Sequence, residues 1–319
     1  MATYVLRRVI QAIPIVFGIS LLIFLIVQLA PGDPTDRFRV PSVRPEQLEN
    51  LRRLYGLDEP LPQQYIAWIT AFFQIWRVDC WGYSIASGDS VRNMVFERLP
   101  ATALLMGTAE LVTIVFAIPI GIIAAVKQYS LVDKVISVFA TIGYAIPSFI
   151  IGLYVLYFGG VVLGWFPLFG MQSLGKSGDP LDIAWHLVLP VTSLAIQAIA
   201  GWARYVRTSM LESMHQDYVR TARAKGLASS RVIGKHALRN ALMPVVTLIG
   251  LSLPSLVAGA VITETIFSYP GVGSLIISAV NANDYPVIYA TAMLIGMTVI
   301  AGNLLADVLY GLVDPRIKY

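Results

Sequence analysis

The chain has 319 residues, 56% hydrophobic and only 13% charged, with a mean hydropathy of +0.70. Soluble domains carry about 25% charged residues, so a water-soluble fold is excluded and the lipid bilayer is the solvent. A net charge of +4 gives no reason to invoke nucleic acid, and a single cysteine, Cys80, rules out an internal disulfide and a cysteine-based metal cluster.

In chain order, Arg7 and Arg8 precede an apolar run at 9–30. That run is about twice the length of a signal-peptide core, so it reads as a retained first span, with Pro14 and Gly18 tolerated inside it. Residues 31–100 then form a polar segment punctuated by Pro41, Pro45, Pro60 and Pro62. Leu48 to Tyr55 predicts a short helix. Tyr65 to Trp76 is apolar and aromatic but too short to span, and is expected to lie along the membrane interface or to pack on the bundle's outer face. Further spans are predicted at 101–126, 135–158, 186–206, 241–265 and 286–312. The expected fold is therefore an all-α polytopic membrane protein of six transmembrane helices. Its parts are an N-terminal region with the first span (1–30), an extracytoplasmic segment (31–100) and a five-helix core (101–319) carrying a cytoplasmic loop at 207–240.

An even number of spans places both termini on one side, and the positive-inside rule chooses the side. The segments assigned to the cytoplasm hold 14 basic residues against 4 acidic, whereas the outer segments hold 9 against 12. The expected location is a multi-pass protein of the cell membrane with both termini cytoplasmic.

The 207–240 segment is too long and too polar for a simple connection, since most connections run about 4–6 residues. Asp217 is expected to cap a helix starting at Tyr218, Gly226 to end it in a left-handed turn, and Ser229 or Ser230 to cap the next helix. Ala222 and Gly226 lie four apart, which predicts one face of small residues that a soluble partner can approach closely. Arg220 and Arg223 share another face and can pair with acids.

Charged groups within spans are functional candidates by default. Glu110 lies roughly 14 Å into the predicted second span at 1.5 Å per residue. Its position allows two arrangements: facing a substrate path, or bonding a polar group on a neighbouring helix. Asp307 lies near the cytoplasmic end of the last span and reads as structural. Glu264, with Tyr269, Pro270 and Gly271, marks the outer end of the fifth span and is a candidate for shaping an outer gate. Gly170 to Ser177 matches the phosphate-cradling pattern G-x-x-x-x-G-K-S letter for letter. No strand precedes it, Gly178 and Pro180 follow at once, and it falls on the outer side, so coincidence is expected. His186, His215 and His236 are far apart, with no carboxylate at metal-ligand spacing. No nucleophile elbow is present. Gly160 and Gly164 suggest close helix packing.

The run Tyr218-Val219-Arg220-Thr221-Ala222-Arg223-Ala224-Lys225-Gly226-Leu227, followed by His236-Ala237-Leu238-Arg239-Asn240-Ala241-Leu242, resembles the cytoplasmic loop of ABC importer permeases, and more narrowly that of the peptide/nickel branch. Leu29 to Pro34, Tyr55 to Leu61, Glu264 to Gly271 and Asn303 to Tyr319 resemble the same branch. Two departures stand out. The general loop begins Glu-Ala-Ala, where this chain has Arg220-Thr221-Ala222. The branch's usual Gly-Asp-Leu-Gly is replaced by Val78-Asp79-Cys80-Trp81-Gly82.

The resemblance implies a type I permease fold with a cytoplasmic coupling helix at Tyr218 to Gly226. It implies a homologous second permease subunit, two cytosolic ABC ATPases, an extracytoplasmic binding protein, and neither a cofactor nor a metal in this chain. Its implied activity is ATP-driven alternating access importing di- or oligopeptides, with a cavity walled by the second, third, fifth and sixth spans and bends at Pro119, Pro147 and Pro254. The other readings weighed are a permease of the same branch for nickel chelates, glutathione or another small solute; a passive channel; and a membrane enzyme.

Overall fold

The computed structural model describes residues 2–29, 35, 45–74, 77, 80–252, 256 and 260–313. The described chain is helical, and the only extended pairing among these residues is one isolated bridge between Tyr83 and Ser90. Helix α1 covers Ala2–Leu29, α2 Pro45–Leu54, α3 Leu61–Phe72, α4 Val91–Val126, α5 Leu131–Ala145 and α6 Ser148–Val155, the last prolonged by π-helical turns at Leu156–Val162. Helix α7 covers Pro180–Met214, α8 Asp217–Ala224 and α9 Ser229–Arg231; π-helical turns at Val232–Ala237 lead into α10 Leu238–Ala241 and α11 Met243–Ser252. Then come α12 Val261–Ile266, α13 Val272–Asn281 and α14 Tyr285–Val313.

Four of these helices are long and apolar enough to cross a bilayer (Leu6–Leu29, Val91–Val126, Pro180–Met214 and Tyr285–Leu305). The predicted third span is not one straight rod. Helices α5 and α6 meet at 101°, and counting the bent pair as one crossing raises the total to 5. The cause is Pro147: it removes a backbone donor and drives Ile146 into extended backbone, φ −78° and ψ 128°. The predicted fifth span, 241–265, is described only as α11 and α12; Pro254 and the expected bend there lie outside the described residues.

The bundle is built around α4 and α7, which run parallel. Helix α4 starts ten residues before the predicted 101 and passes through Pro100 and Pro119. Its buried stripe, Thr102, Leu105, Ala109, Thr113, Ala117, Gly121 and Ala124, follows the 3–4 spacing of one helix face and is mostly small. That lets α7 come close: a methyl on Gly121 would stand 2.6 Å from Val206 Cβ and 2.7 Å from the Ala203 carbonyl. Helix α1 packs antiparallel on α14, with Ile19 against Gly296 and Phe24 and Val27 against Tyr285 and Tyr289. The start of α1 and the end of α14 therefore point to the end of the bundle that carries α8.

At the opposite end, α3 lies across the bundle. Its Ile69 and Phe72 are buried with Trp81, Val91, Val95 and Leu275. Trp81 stacks on Phe72 at 5.3 Å and donates from Nε1 to the Phe72 carbonyl. The turn at 84–86 is pinned to the α13–α14 corner by buried Asp284, which accepts from Ser84 Oγ at 2.5 Å, Ile85 N at 3.1 Å and Ala86 N at 3.2 Å.

Candidate functional site

Helix α8 is short, and eight isolated residues do not hold a helix in water, so its seat decides its conformation. Val219 (0% exposed) and Ala222 (5%) point inward onto Val206, Met210, Val232 and Ala237. Arg220, Thr221, Arg223, Ala224 and Lys225 are exposed. Ala222 and Gly226 therefore do not form one partner-facing surface: Ala222 is the inward packing residue, and a four-residue spacing does not say which side of a helix faces its own protein.

The ends of α8 differ from expectation at one terminus only. The N-cap is Gln216, without a side-chain bond, and Asp217 is the first helical residue. There its charge suits the positive helix end, and it stands 3.6 Å from Arg220 in a fully solvated pair worth little. At the other end Gly226 adopts φ +75°. Gly226 N donates to the Arg223 carbonyl at 2.9 Å and Leu227 N to the Ala222 carbonyl at 3.4 Å, the two bonds of a Schellman cap. The following helix starts after Ala228, and neither Ser229 nor Ser230 caps it.

Two contacts that sequence reasoning missed fasten this elbow to the bundle. Buried Ser213, at the end of α7, donates to the Ala237 carbonyl at 2.8 Å and bonds the Tyr218 hydroxyl at 2.7 Å, so one hydroxyl joins α7, α8 and the turns before α10. One turn and a half earlier on α7, Arg207 donates from Nε and a terminal amino group to both oxygens of Asp133 on α5, at 2.7 and 2.8 Å. Asp133 also accepts from Tyr129 N at 2.9 Å, while Ser130 caps α5 by accepting from Asp133 N. Ser130-x-x-Asp133 is a capping-box spacing and was the available signal. Arg207, counted in sequence among the loop's basic residues, spends its charge inside the protein. Ser213 thus ties α8 to α7, and Arg207 ties α7 to α5.

This pair gives a testable expectation. Arg207→Ala leaves a nearly buried carboxylate without its counter-charge, which costs about 3 kcal/mol; Arg207→Lys restores little, because one ammonium cannot bond both oxygens in a fork. A double-mutant cycle with Asp133→Asn, read by thermal unfolding of purified protein, should show a coupling of about 1–3 kcal/mol; strict additivity would contradict the assignment.

The carboxylates within spans have partners. Glu110, half-buried on α4, accepts from Ser252 Oγ on α11, a neighbouring helix, at 2.5 Å. Glu264 on α12 is 0% exposed. It accepts from Thr102 Oγ1 on α4 at 3.0 Å and from Ser274 N at 2.9 Å, while Thr102 accepts from Val272 N at 2.8 Å. Carboxylate and hydroxyl together cap the start of α13 and tie it to α4. Space for the carboxylate exists only because the next residues lack side chains: a methyl on Gly271 would lie 2.3 Å from the Glu264 carboxyl, and one on Gly273 2.7 Å from Val261 Cα. Tyr269 is fully buried against Leu105, Ala109, Leu187 and Val191. The side chain of Asp307 lies outside the described residues.

The phosphate-loop look-alike folds around an acid instead. Ser173 donates from its backbone N–H and its hydroxyl to Asp182, and Lys176 Nζ stands 3.6 Å from the same carboxylate. The helix that follows starts at Pro180, beyond Ser177. An anion already fills the place a phosphate would need. Each described histidine with a ring contact is locally engaged: His186 Nδ1 with the Asp182 carbonyl at 2.8 Å and His215 Nδ1 with that of Leu211 at 2.6 Å. No group of three metal-ligating side chains occurs among the described residues.

A long helical core with a capped, solvent-facing elbow between its spans matches one family over most of the chain. Residues 117–319 match the binding-protein-dependent transport system inner membrane component, and residues 1–106 match the N-terminal membrane component of the same systems. This chain belongs to that family. The match places it among the membrane-embedded components of binding-protein-dependent transport systems, as a transport subunit and not an enzyme. It is 42% identical to the oligopeptide transport system permease protein AppB of Bacillus subtilis over 320 residues, covering 100% of both chains. It is 41% identical to a putative peptide permease protein of Brucella suis, covering 100% of this chain and 99% of the relative. To the di/tripeptide transport system permease protein DppB of Pseudomonas aeruginosa it is 39% identical over 342 residues, again covering 100% and 99%.

Proposed function

We propose that this chain is a permease subunit of an ABC importer that carries di- or oligopeptides into the cytoplasm by ATP-driven alternating access. The peptide class is suggested by the names of its full-length relatives. The observation that carries the mechanism is α8, a capped helix that buries two small side chains in its own protein and turns a basic face to solvent. In this reading the α8 end and both termini are cytoplasmic, as the concentration of Lys and Arg there supports.

Two cytosolic ATPases grip this helix, one on this chain and one on a homologous second permease subunit. Arg220, Thr221, Arg223, Ala224 and Lys225 meet the ATPase. Val219 and Ala222 seat the helix, Tyr218 fastens it through Ser213, and Gly226 gives it a fixed end. Closure of the ATPases on ATP moves α8, and Ser213 and Arg207 carry that movement to α7 and α5. A binding protein delivers the peptide at the opposite, outer end. There Glu264 and Tyr269 shape the gate from behind by holding α13, while Glu110 stands deeper, beside the path. The cavity is walled by α4, the α5–α6 pair, α11 and α14, and the bend at Pro147 supplies a hinge.

The test is uptake of a labelled tripeptide into vesicles containing the assembled complex. Uptake should require ATP and binding protein together. Gly226→Trp, which forces a bulky L-residue into the left-handed region at a cost of about 1–2 kcal/mol, should insert normally yet lose uptake. Flux without nucleotide, or unchanged uptake by Gly226→Trp, would contradict the proposal.

A further inference from the structure

At the outer end, between α1, α3, the turn at 82–85 and the start of α14, lies a cavity of about 640 Å³. Its size is that of a site for a small organic ligand, for which about 300–1,000 Å³ is usual. Of its 21 described lining residues, 8 are aromatic, none is Lys, Arg or His, and the one carboxylic acid among them is Glu59, which is exposed. The rings form a continuous wall: Trp68 lies 4.9 Å from Tyr289, and Phe24 lies 5.9 Å from Tyr289 and 6.2 Å from Trp68. Arg52, three residues before Tyr55 of the lining, is turned to Asp58 at 3.3 Å.

The polar part of the wall is made of amides. Gln28 donates to Gln64, and Gln64 donates to the carbonyls of Leu57 and Glu59. Buried Tyr289 lies beside this pair, with its hydroxyl close to the Gln28 amide.

Aromatic faces carry negative potential and attract ammonium groups. With a carboxylate and no Lys, Arg or His among its described lining residues, such a cavity disfavours anions and suits a cation with an apolar body. The Gln28 and Gln64 amides and the Tyr289 phenol suit a peptide bond beside it. We propose that this pocket receives the N-terminal ammonium group and first residue of a peptide on the outer face, before the peptide enters the translocation path. The proposal rests on the peptide-importer reading and on the orientation given with it.

The experiment uses the assembled complex in phosphatidylglycerol vesicles, with Tyr83→Cys as a reporter at the pocket mouth. Tyr83 is 53% exposed whereas native Cys80 is only 6% exposed, so position 83 dominates maleimide labelling. Trialanine should slow labelling at saturation, and N-acetyl-trialanine, of the same shape but without the charge, should need about tenfold higher concentration. Glu59→Gln should weaken protection by trialanine several-fold, and so should Trp68→Leu, while leaving protection by the acetylated peptide nearly unchanged for Glu59→Gln. Equal protection by both peptides would overturn the proposal. So would protection by vesicles containing phosphatidylethanolamine with no further effect of trialanine, which would assign the pocket to a lipid headgroup. Trialanine uptake measured on the same vesicles separates the two readings. Uptake without protection removes the pocket proposal and leaves peptide import standing. Protection without uptake removes peptide import and leaves the pocket.

Discussion

Val219→Asp should abolish nucleotide-driven uptake while the protein still inserts and the bundle still folds. Val219 is 0% exposed, in the cluster that joins α8 to α7 and to the turns at Val232–Ala237. A carboxylate there meets apolar neighbours, and burying an ion without a partner costs several kcal/mol. Little holds α8 against that cost: the packing of Val219 and Ala222, one hydroxyl bond from Tyr218 and the cap at Gly226. Lifting α8 off its seat is therefore cheaper than burying the charge. The α4–α7 contact does not involve this residue and stays. Thr221→Asp, the same chemical change on the exposed face, should leave the seat intact and lower only affinity for the ATPase. Membrane insertion, ATPase co-purification and uptake, measured on both variants, check the expectation; full uptake by Val219→Asp would remove the seated helix from the mechanism.

The second large effect is expected at the other end. Gly271→Ala should lower the thermal stability of the purified permease by about 3 kcal/mol or more, which for a chain of this size is a fall in Tm of roughly 5 °C. The added methyl meets the Glu264 carboxyl at 2.3 Å, and that carboxyl cannot retreat without giving up Thr102 and Ser274 N. Each buried donor left unmet costs about 1–3 kcal/mol. Glu264→Ala in the Gly271→Ala background should be milder than the sum of the single changes, because the clash and the lost cap are one event. Additive losses would show that the carboxylate does not cap α13.

Local chemistry is legible in the amino-acid sequence. A span can be read because about 20 apolar residues in a row must cross hydrocarbon, and α1, α7 and α14 lie where that reasoning puts them. Tyr65 to Trp76 reads as a segment too short to span, and α3 occupies most of it at the edge of the bundle. Gly226 is legible because a helix end followed by a left-handed residue favours glycine.

Pairing at a distance is not legible in this way. Arg207 and Asp133 are 74 residues apart, Thr102 and Glu264 are 162, and Ser84 and Asp284 are 200. In sequence each is an ordinary polar residue of a loop or helix end, and only the packing of the helices supplies its partner. The start of α4 is hidden by Pro100 and by Arg92, Glu97 and Arg98, which look like loop but occupy its first turns. The inward direction of Ala222 is hidden for a related reason: a small residue suits a tight seat on its own protein as well as a tight contact with another.

The central claim is that α8 presents one face to its own bundle and the opposite face to an ATPase. Single cysteines placed by Thr221→Cys and Ala224→Cys, and by Val219→Cys and Ala222→Cys, test it in the assembled complex with a short bifunctional crosslinker; native Cys80 is buried in the other end cluster. Crosslinks to the ATPase should form from positions 221 and 224, on the side of the membrane that holds the ATPase, and not from 219 or 222. Strong crosslinking from 219 and 222, or none from any of the four, would contradict it.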